Sequence, residues 1–123
     1  MDENDNQIII YQSADGRTKI DVRMEGETLW LTQAQIAQLF GRERSVITKH
    51  IQNILDDGEI LAESNVQKMH IAHSGKPVAF YSLNMILAVG YRVKSREGTH
   101  FRQWATSVLR EYLQKDSHST MSV

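Results

Sequence analysis

Up to Leu31 the apolar positions fall in short runs and alternations, the mark of strands; from Thr32 to Leu55 they recur at helical spacing. Residues 7–31 therefore read as strands. Ile8, Ile9, Ile10 and Tyr11 form a β-branched and aromatic run, and Ala14-Asp15-Gly16-Arg17 supplies an Asp-Gly turn. Thr18 to Met24 then alternate, with Ile20, Val22 and Met24 on one face. Glu25-Gly26-Glu27 makes a second turn, from which Thr28 to Leu31 return as a third short strand.

Thr32 is a natural N-cap, because its hydroxyl can accept from the free amides of the next turn. The helix it opens carries Ile36, Ala37, Leu39 and Phe40 and stops at Gly41, the residue type suited to a left-handed C-cap. Ser45 stands where it can cap a second helix, with Ile47, Ile51, Ile54 and Leu55 on one stripe. Asp56-Asp57-Gly58 ends that helix, although two aspartates there oppose the macrodipole.

Residues 66–81 read as another hairpin, with His73-Ser74-Gly75-Lys76-Pro77 as its turn and Val78, Phe80 and Tyr81 in the return strand. The single proline sits at the turn edge, where its missing amide does little harm. Ser82 caps an apolar, buried helix over Leu83 to Val89, and a basic connector from Tyr91 to Arg96 leads past Gly98 to the most regular helix of the chain. There Phe101, Trp104, Ala105, Val108, Leu109, Tyr112 and Leu113 repeat at i, i+3, i+4, i+7, i+8, i+11 and i+12. The residues from Asp116 on are small and polar and are expected to fray. No internal repeat and no linker stands out.

The length, 123 residues, allows one core and is too short for two. No apolar run reaches the ~18 residues of a membrane span, and the acidic start Met1-Asp2-Glu3-Asn4-Asp5 lacks the apolar stretch of a secretory signal, so a cytoplasmic protein is expected. Absent cysteines exclude disulfides, thiolate chemistry and cysteine zinc sites. The net charge of -1 looks poor for a nucleic-acid binder, but its distribution matters more. Arg42, Arg44 and Lys49 face only Glu43 between residues 32 and 55, and Lys68, Lys76, Arg92, Lys94 and Arg96 form a second basic segment after the acids Asp56, Asp57, Glu59 and Glu63. A local patch is enough for phosphate contact.

The stretch LTQAQIAQLFGRERSVITKHIQNIL, from Leu31 to Leu55, has the spacing of a helix-turn-helix. Counted from Gln33, a small residue is wanted at the fifth place, glycine at the ninth and a branched apolar residue at the fifteenth; the chain has Ala37, Gly41 and Ile47. The outer face of the second helix then carries Ser45, Thr48, Lys49 and Gln52, side chains suited to base edges and phosphates, with Arg42 and Arg44 at its entrance. Arg42 departs from the pattern, since many such motifs place a small apolar residue after the glycine. The same pattern also suits an αα-hairpin that touches no DNA. The hairpin at 66–81 follows as a wing would, with Lys76 at its tip for a phosphate. The expected architecture is one α+β domain over 1–123, winged helix-turn-helix-like. It comprises an N-terminal β-hairpin, a central helix-turn-helix, a wing hairpin and a C-terminal amphipathic helix, with 1–6 and 116–123 as flexible tails.

WLTQAQIAQLF, VITKHIQNIL, DDGEI and YSLNMILAVGYRVKSREGTHFRQWATSVLREYL resemble the RhuM family of virulence-associated proteins over roughly residues 8–115. Domains of that family occur in bacterial genomic islands and prophages and fused to Fic-type domains. They are similar in style to the N-terminal domains of KilA- and Bro-type phage antirepressors, where FR.W also opens a closing helix. The resemblance implies a DNA-binding or regulatory domain of mobile-element origin. Family members usually continue beyond the EYL block, so a truncated or stand-alone N-terminal domain is expected, and the His-Pro-Phe motif of Fic proteins is absent.

Catalytic chemistry finds little support. His70 and His73 sit three apart on a strand and so face opposite ways, His50 lies beside the apolar stripe, His100 begins the last helix, and His118 is in the tail. Ser74-Gly75-Lys76 mimics the end of a phosphate-binding loop without its upstream glycine or following helix, and Asp56, Asp57 and Glu59 read as a solvated acidic loop. Phe101, Trp104 and Tyr112 could stack bases, but their spacing says core or dimer face first. No enzyme, no cofactor and no metal is expected. The expected function is a transcriptional regulator that binds double-stranded DNA as a homodimer through Arg42, Arg44, Ser45, Thr48, Lys49, Gln52, Lys76, Arg92, Lys94 and Arg96. The alternative is an antirepressor-like module that binds a protein partner through the stripe of residues 101–113 and has no DNA sequence specificity of its own.

Overall fold

The computed structural model describes residues 6–71 and 75–121, with side chains for 7–71 and 75–111. Three strands come first, β1 (Asn6–Gln12), β2 (Lys19–Glu25) and β3 (Thr28–Thr32), followed by helices α1 (Gln33–Phe40) and α2 (Arg44–Asp56). A short α3 (Ala62–Asn65) leads into β4 (Val66–Met69) and β5 (Val78–Ser82), and α4 (Leu83–Arg92) and α5 (Arg96–Met121) complete the chain. The strands make one antiparallel sheet in the order β1-β2-β3-β5-β4, so the fold is α+β.

The alternation in β2 does what its pattern implies: Ile20, Val22 and Met24 are all buried on the face that also carries Ile9 and Tyr11 of β1. The opposite residues, Ile8 and Ile10, remain 54% and 59% exposed on β1, an edge strand of the sheet. The central strand β3 buries Leu29, Trp30 and Leu31, and the Trp30 indole donates to the Glu25 carbonyl at 3.1 Å. On the outer face the Arg23 guanidinium lies 5.0 Å over the Phe80 ring.

Two strand–helix joints share one design. Thr32 ends β3 and its hydroxyl accepts from the Gln35 amide at 3.2 Å; Ser82 ends β5 and accepts from the Met85 amide at 3.3 Å. Their strands pair antiparallel with Leu31 opposite Tyr81, so α1 and α4 leave the sheet from opposite ends of that pair. At Thr32 the joint is a full capping box, because the Gln35 side chain also accepts from the Thr32 amide at 2.8 Å. Little sequence identity links the joints, which is why no repeat is visible along the chain.

Several boundaries differ from those the sequence suggests. Ser45 does not cap α2. The helical bonds already begin at Glu43, whose carbonyl accepts from Val46 at 3.0 Å and Ile47 at 3.2 Å, and Glu43 is an N-cap with no side-chain cap bond. Tyr91 and Arg92 form the last turn of α4, so the basic connector shrinks to Val93, Lys94 and Ser95. Gly98 lies inside α5 rather than before it, because α4 and α5 approach there: a Cβ on Gly98 would sit 3.7 Å from the Gly90 Cα. The helix α3 is too short to leave a periodic trace. Helix α5 runs through Asp116, with its side chains from residue 112 on, including Tyr112 and Leu113, outside the described set. Also outside it are His73 and Ser74 of the expected turn, the His118 side chain, and residues 1–5 and 122–123 of the two expected tails.

Candidate nucleic-acid interface

Helix α2 is held by three isoleucines. Ile47, Ile51 and Ile54 are buried at i, i+4 and i+7, each side chain contributing roughly 1.5–3 kcal/mol by leaving water. That outweighs the few tenths of a kcal/mol per residue by which the β-branched Val46, Ile47, Thr48 and Ile51 disfavour a helix. Burial of one stripe also decides where the other faces: Arg44, Ser45, Thr48, Lys49, Gln52 and Asn53 are all exposed.

The turn that aims α2 is closed at Gly41, in the left-handed region at φ 64 and ψ 39. The Gly41 amide donates to the Gln38 carbonyl at 3.4 Å and the Arg42 amide to the Ala37 carbonyl at 3.0 Å, the paired bonds of a Schellman motif. Arg42 thus follows the glycine for a reason invisible in the motif. Its guanidinium donates to the Phe40 carbonyl at 3.1 Å and to the Val93 carbonyl at 3.0 Å, tying the turn to the α4–α5 connection.

The ten basic and polar residues singled out above divide into three kinds of surroundings. Arg44 and Lys49 are exposed and have no ion-pair partner among the described residues, and Ser45 stands exposed beside them on the first turn of α2. Gln52 is exposed further along and donates to Asp56 at 3.2 Å. Thr48 and Arg42 are structural as well as exposed: the Thr48 hydroxyl donates to the Arg44 carbonyl at 2.8 Å and accepts from the Gln33 side chain, which fastens α1 to α2. Arg92 is drawn away, donating to Asp57 at 3.1 Å and Glu59 at 2.9 Å. Those two carboxylates, Glu59 foremost, raise the guanidinium above its already high ordinary pKa. The same contact answers the dipole conflict at the end of α2, since a cation from α4 offsets the acids there.

Lys94 and Arg96 are exposed on either side of Ser95, with Lys94 in the left-handed region at φ 55. The Arg42–Val93 bond brings Lys94 next to the entrance of α2, although the two are far apart in sequence. Lys76 is exposed at the end of the β4–β5 hairpin. Two contributors escaped the sequence reading. Gln33 clamps the helix pair, which only a register between α1 and α2 could reveal, and Asn53 extends the outer face of α2, as its place four residues beyond Lys49 could have signalled.

The apolar stripe of α5 is used inside the domain: Phe101 and Ala105 are buried, and Trp104, Val108 and Leu109 pack against the core. Tyr11 reaches this region from β1, edge-on to Phe101 and Trp104 at 4.9 and 5.0 Å between ring centroids. Its hydroxyl pairs with Glu97 and with His100 Nδ1, so the chain's first strand is latched to its last helix. Among the described residues no three histidines or carboxylates cluster so as to hold a metal ion, and no helix is long and apolar enough to cross a membrane.

Fold and surface together define a small α+β domain in which an antiparallel sheet carries a glycine-hinged helix pair with a basic outer face. Residues 59–118 match the family model described as Virulence protein RhuM family, which supports assignment of the chain to that family of virulence-associated proteins. The matched segment starts beyond α2, so it covers α3, both hairpin strands, α4 and most of α5 but not the helix pair. No curated protein and no solved structure matches the chain.

Proposed function

We propose that this protein binds duplex DNA as a winged helix-turn-helix and acts as a transcriptional regulator of mobile-element or virulence-island origin. In this reading α1 and α2 are the helix-turn-helix, α2 enters the major groove, and the β4–β5 hairpin is the wing. The order β3–α1–α2–α3–β4–β5, in which only the four-residue α3 separates the helix pair from the hairpin and β3 pairs with β5, supports it. The observation that carries it is the outer ridge of α2: Arg44 and Lys49 stand in solvent with no carboxylate partner among the described residues, over a helix locked by three buried isoleucines. Selection of binding sites from random duplex DNA tests this reading. It expects an enriched motif, and recovery of unenriched sequence after repeated rounds would end the claim to specific recognition.

A protein-interaction module of antirepressor type is the second reading, favoured by Ile8 and Ile10 exposed on an edge strand, where another chain could add. A homodimer would use the same edge. Pull-downs with the parent, Ile10→Lys and Lys49→Ala separate the two readings, while light scattering of the parent and of Ile10→Lys reports the homodimer. An interaction module loses its partner with the first variant and is indifferent to the second.

A further inference from the structure

Helices α4 and α5 meet with Gly90 against Gly98, and a cavity of about 560 Å³ opens where their backbones come close. One wall is a face of α4 and its extension, with Tyr91 and Lys94; the other is a face of α5, with Thr99 and Arg102. The size lies within the ~300–1,000 Å³ range of small-molecule sites. Tyr91 is 86% exposed, an aromatic ring left standing at the cavity's edge where a core would have covered it. Neither Lys94 nor Arg102 has an ion-pair partner among the described residues, whereas Arg92, beside Tyr91, is neutralised by Asp57 and Glu59. A flat ring wall with two cations and a hydroxyl around it suits one class of ligand: an anionic group attached to a planar ring.

We propose that this cavity is an effector site for a phosphorylated aromatic ligand of the nucleoside monophosphate kind, its ring on Tyr91 and its phosphate between Lys94 and Arg102. The site has a built-in connection to α2. Lys94 follows Val93, whose carbonyl receives the Arg42 guanidinium, so a phosphate that draws Lys94 toward it moves the acceptor that holds the turn before α2. The consequence for DNA rests on the proposed function above; ligand binding does not.

Calorimetry and amide NMR on the full chain, with no DNA present, test the site. The probes are adenosine 5′-monophosphate, adenosine alone and inorganic phosphate. The monophosphate should bind saturably and shift the amides of Tyr91, Lys94, Thr99 and Arg102, with adenosine or phosphate alone at least about tenfold weaker. Tyr91→Ala and Arg102→Ala, both at exposed positions, should each weaken it about tenfold while the far-UV spectrum stays that of the parent. Shifts at Glu43 to Ser45 should accompany binding in the parent and vanish in Arg42→Ala. Absence of saturable binding up to about 10 mM, or binding unmoved by both cavity variants, would overturn the site. So would loss of duplex affinity in Arg102→Ala with no nucleotide binding in the parent, which would make the cavity part of a DNA contact. Nucleotide binding without the shifts at Glu43 to Ser45 would overturn the connection to α2.

Discussion

The side-chain amide of Gln33, the first residue of α1, donates to the hydroxyl of Thr48 on α2, and the same amide reaches the Arg44 carbonyl at 3.3 Å. A polar clamp therefore sits on the exposed side of a helix pair whose other side is apolar. Gln33→Ala should lower stability by about 1 kcal/mol, the usual net worth of such a bond, read as a lower urea midpoint at unchanged m-value. Because no cation is lost, the salt slope of any DNA binding should stay that of the parent, which equilibrium titration at several salt concentrations would show.

Arg42 and Arg44 carry the same charge two positions apart and are predicted to behave differently. Arg42→Ala removes two bonds to backbone carbonyls and should cost about 1 kcal/mol of stability. Arg44→Ala removes no side-chain bond to any of the described residues and should leave the stability read from the urea midpoint within about 0.5 kcal/mol of the parent. Equal destabilisation of both would mean that the Arg42–Val93 tie does not hold the turn.

Gly90 and Gly98 face one another but tolerate a methyl group unequally. A Cβ on Gly90 would come within 2.8 Å of the Phe40 ring, so Gly90→Ala forces repacking and should cost about 1–3 kcal/mol. On Gly98 the nearest atoms are 3.7 Å away, ordinary contact, so Gly98→Ala should be neutral or gain up to about 1 kcal/mol from lower chain entropy. Thermal melts of the two variants decide the order.

Alkaline pH should loosen the latch between β1 and α5. Burial first, then the hydrogen bond to Glu97 and that carboxylate's charge, push the Tyr11 phenol well above its ordinary value. A raised folded-state pKa means that the contribution is complete below the unfolded value near 10 and is lost as pH climbs beyond it. Stability measured from pH 8 to about 11 should therefore fall at the upper end, and Tyr11→Phe should flatten that fall. An identical decline in Tyr11→Phe would place the effect elsewhere.

What the chain revealed unaided was whatever local pattern encodes. The alternation Ile20, Val22, Met24, the stripe Ile47, Ile51, Ile54, the caps Thr32 and Ser82 and the turn at Gly41 are consequences of two periodicities and a few backbone conformations. The partners of the cations were hidden because they come from afar: Arg42 reaches Val93, and Arg92 reaches Asp57 and Glu59. Ser45 looked like a cap because residue type suggests one, whereas the tight turn after Gly41 starts the helix earlier. Gly98 reads in sequence as lying before the last helix and serves in space as a point of close approach inside it. Of the proposed interface, its placement on α2 was legible, and the distinction between available and engaged cations was not.

The most direct test of the central claim is fluorescence polarisation of a labelled random-sequence duplex titrated with the protein from about 20 to 200 mM salt, for the parent, Arg44→Ala and Lys49→Ala. Phosphate recognition by α2 predicts binding at low salt that falls steeply as salt rises, and a log–log slope shallower by about one in each variant with folding intact. No binding by the parent at the lowest salt, or an unchanged slope in both variants, would contradict it.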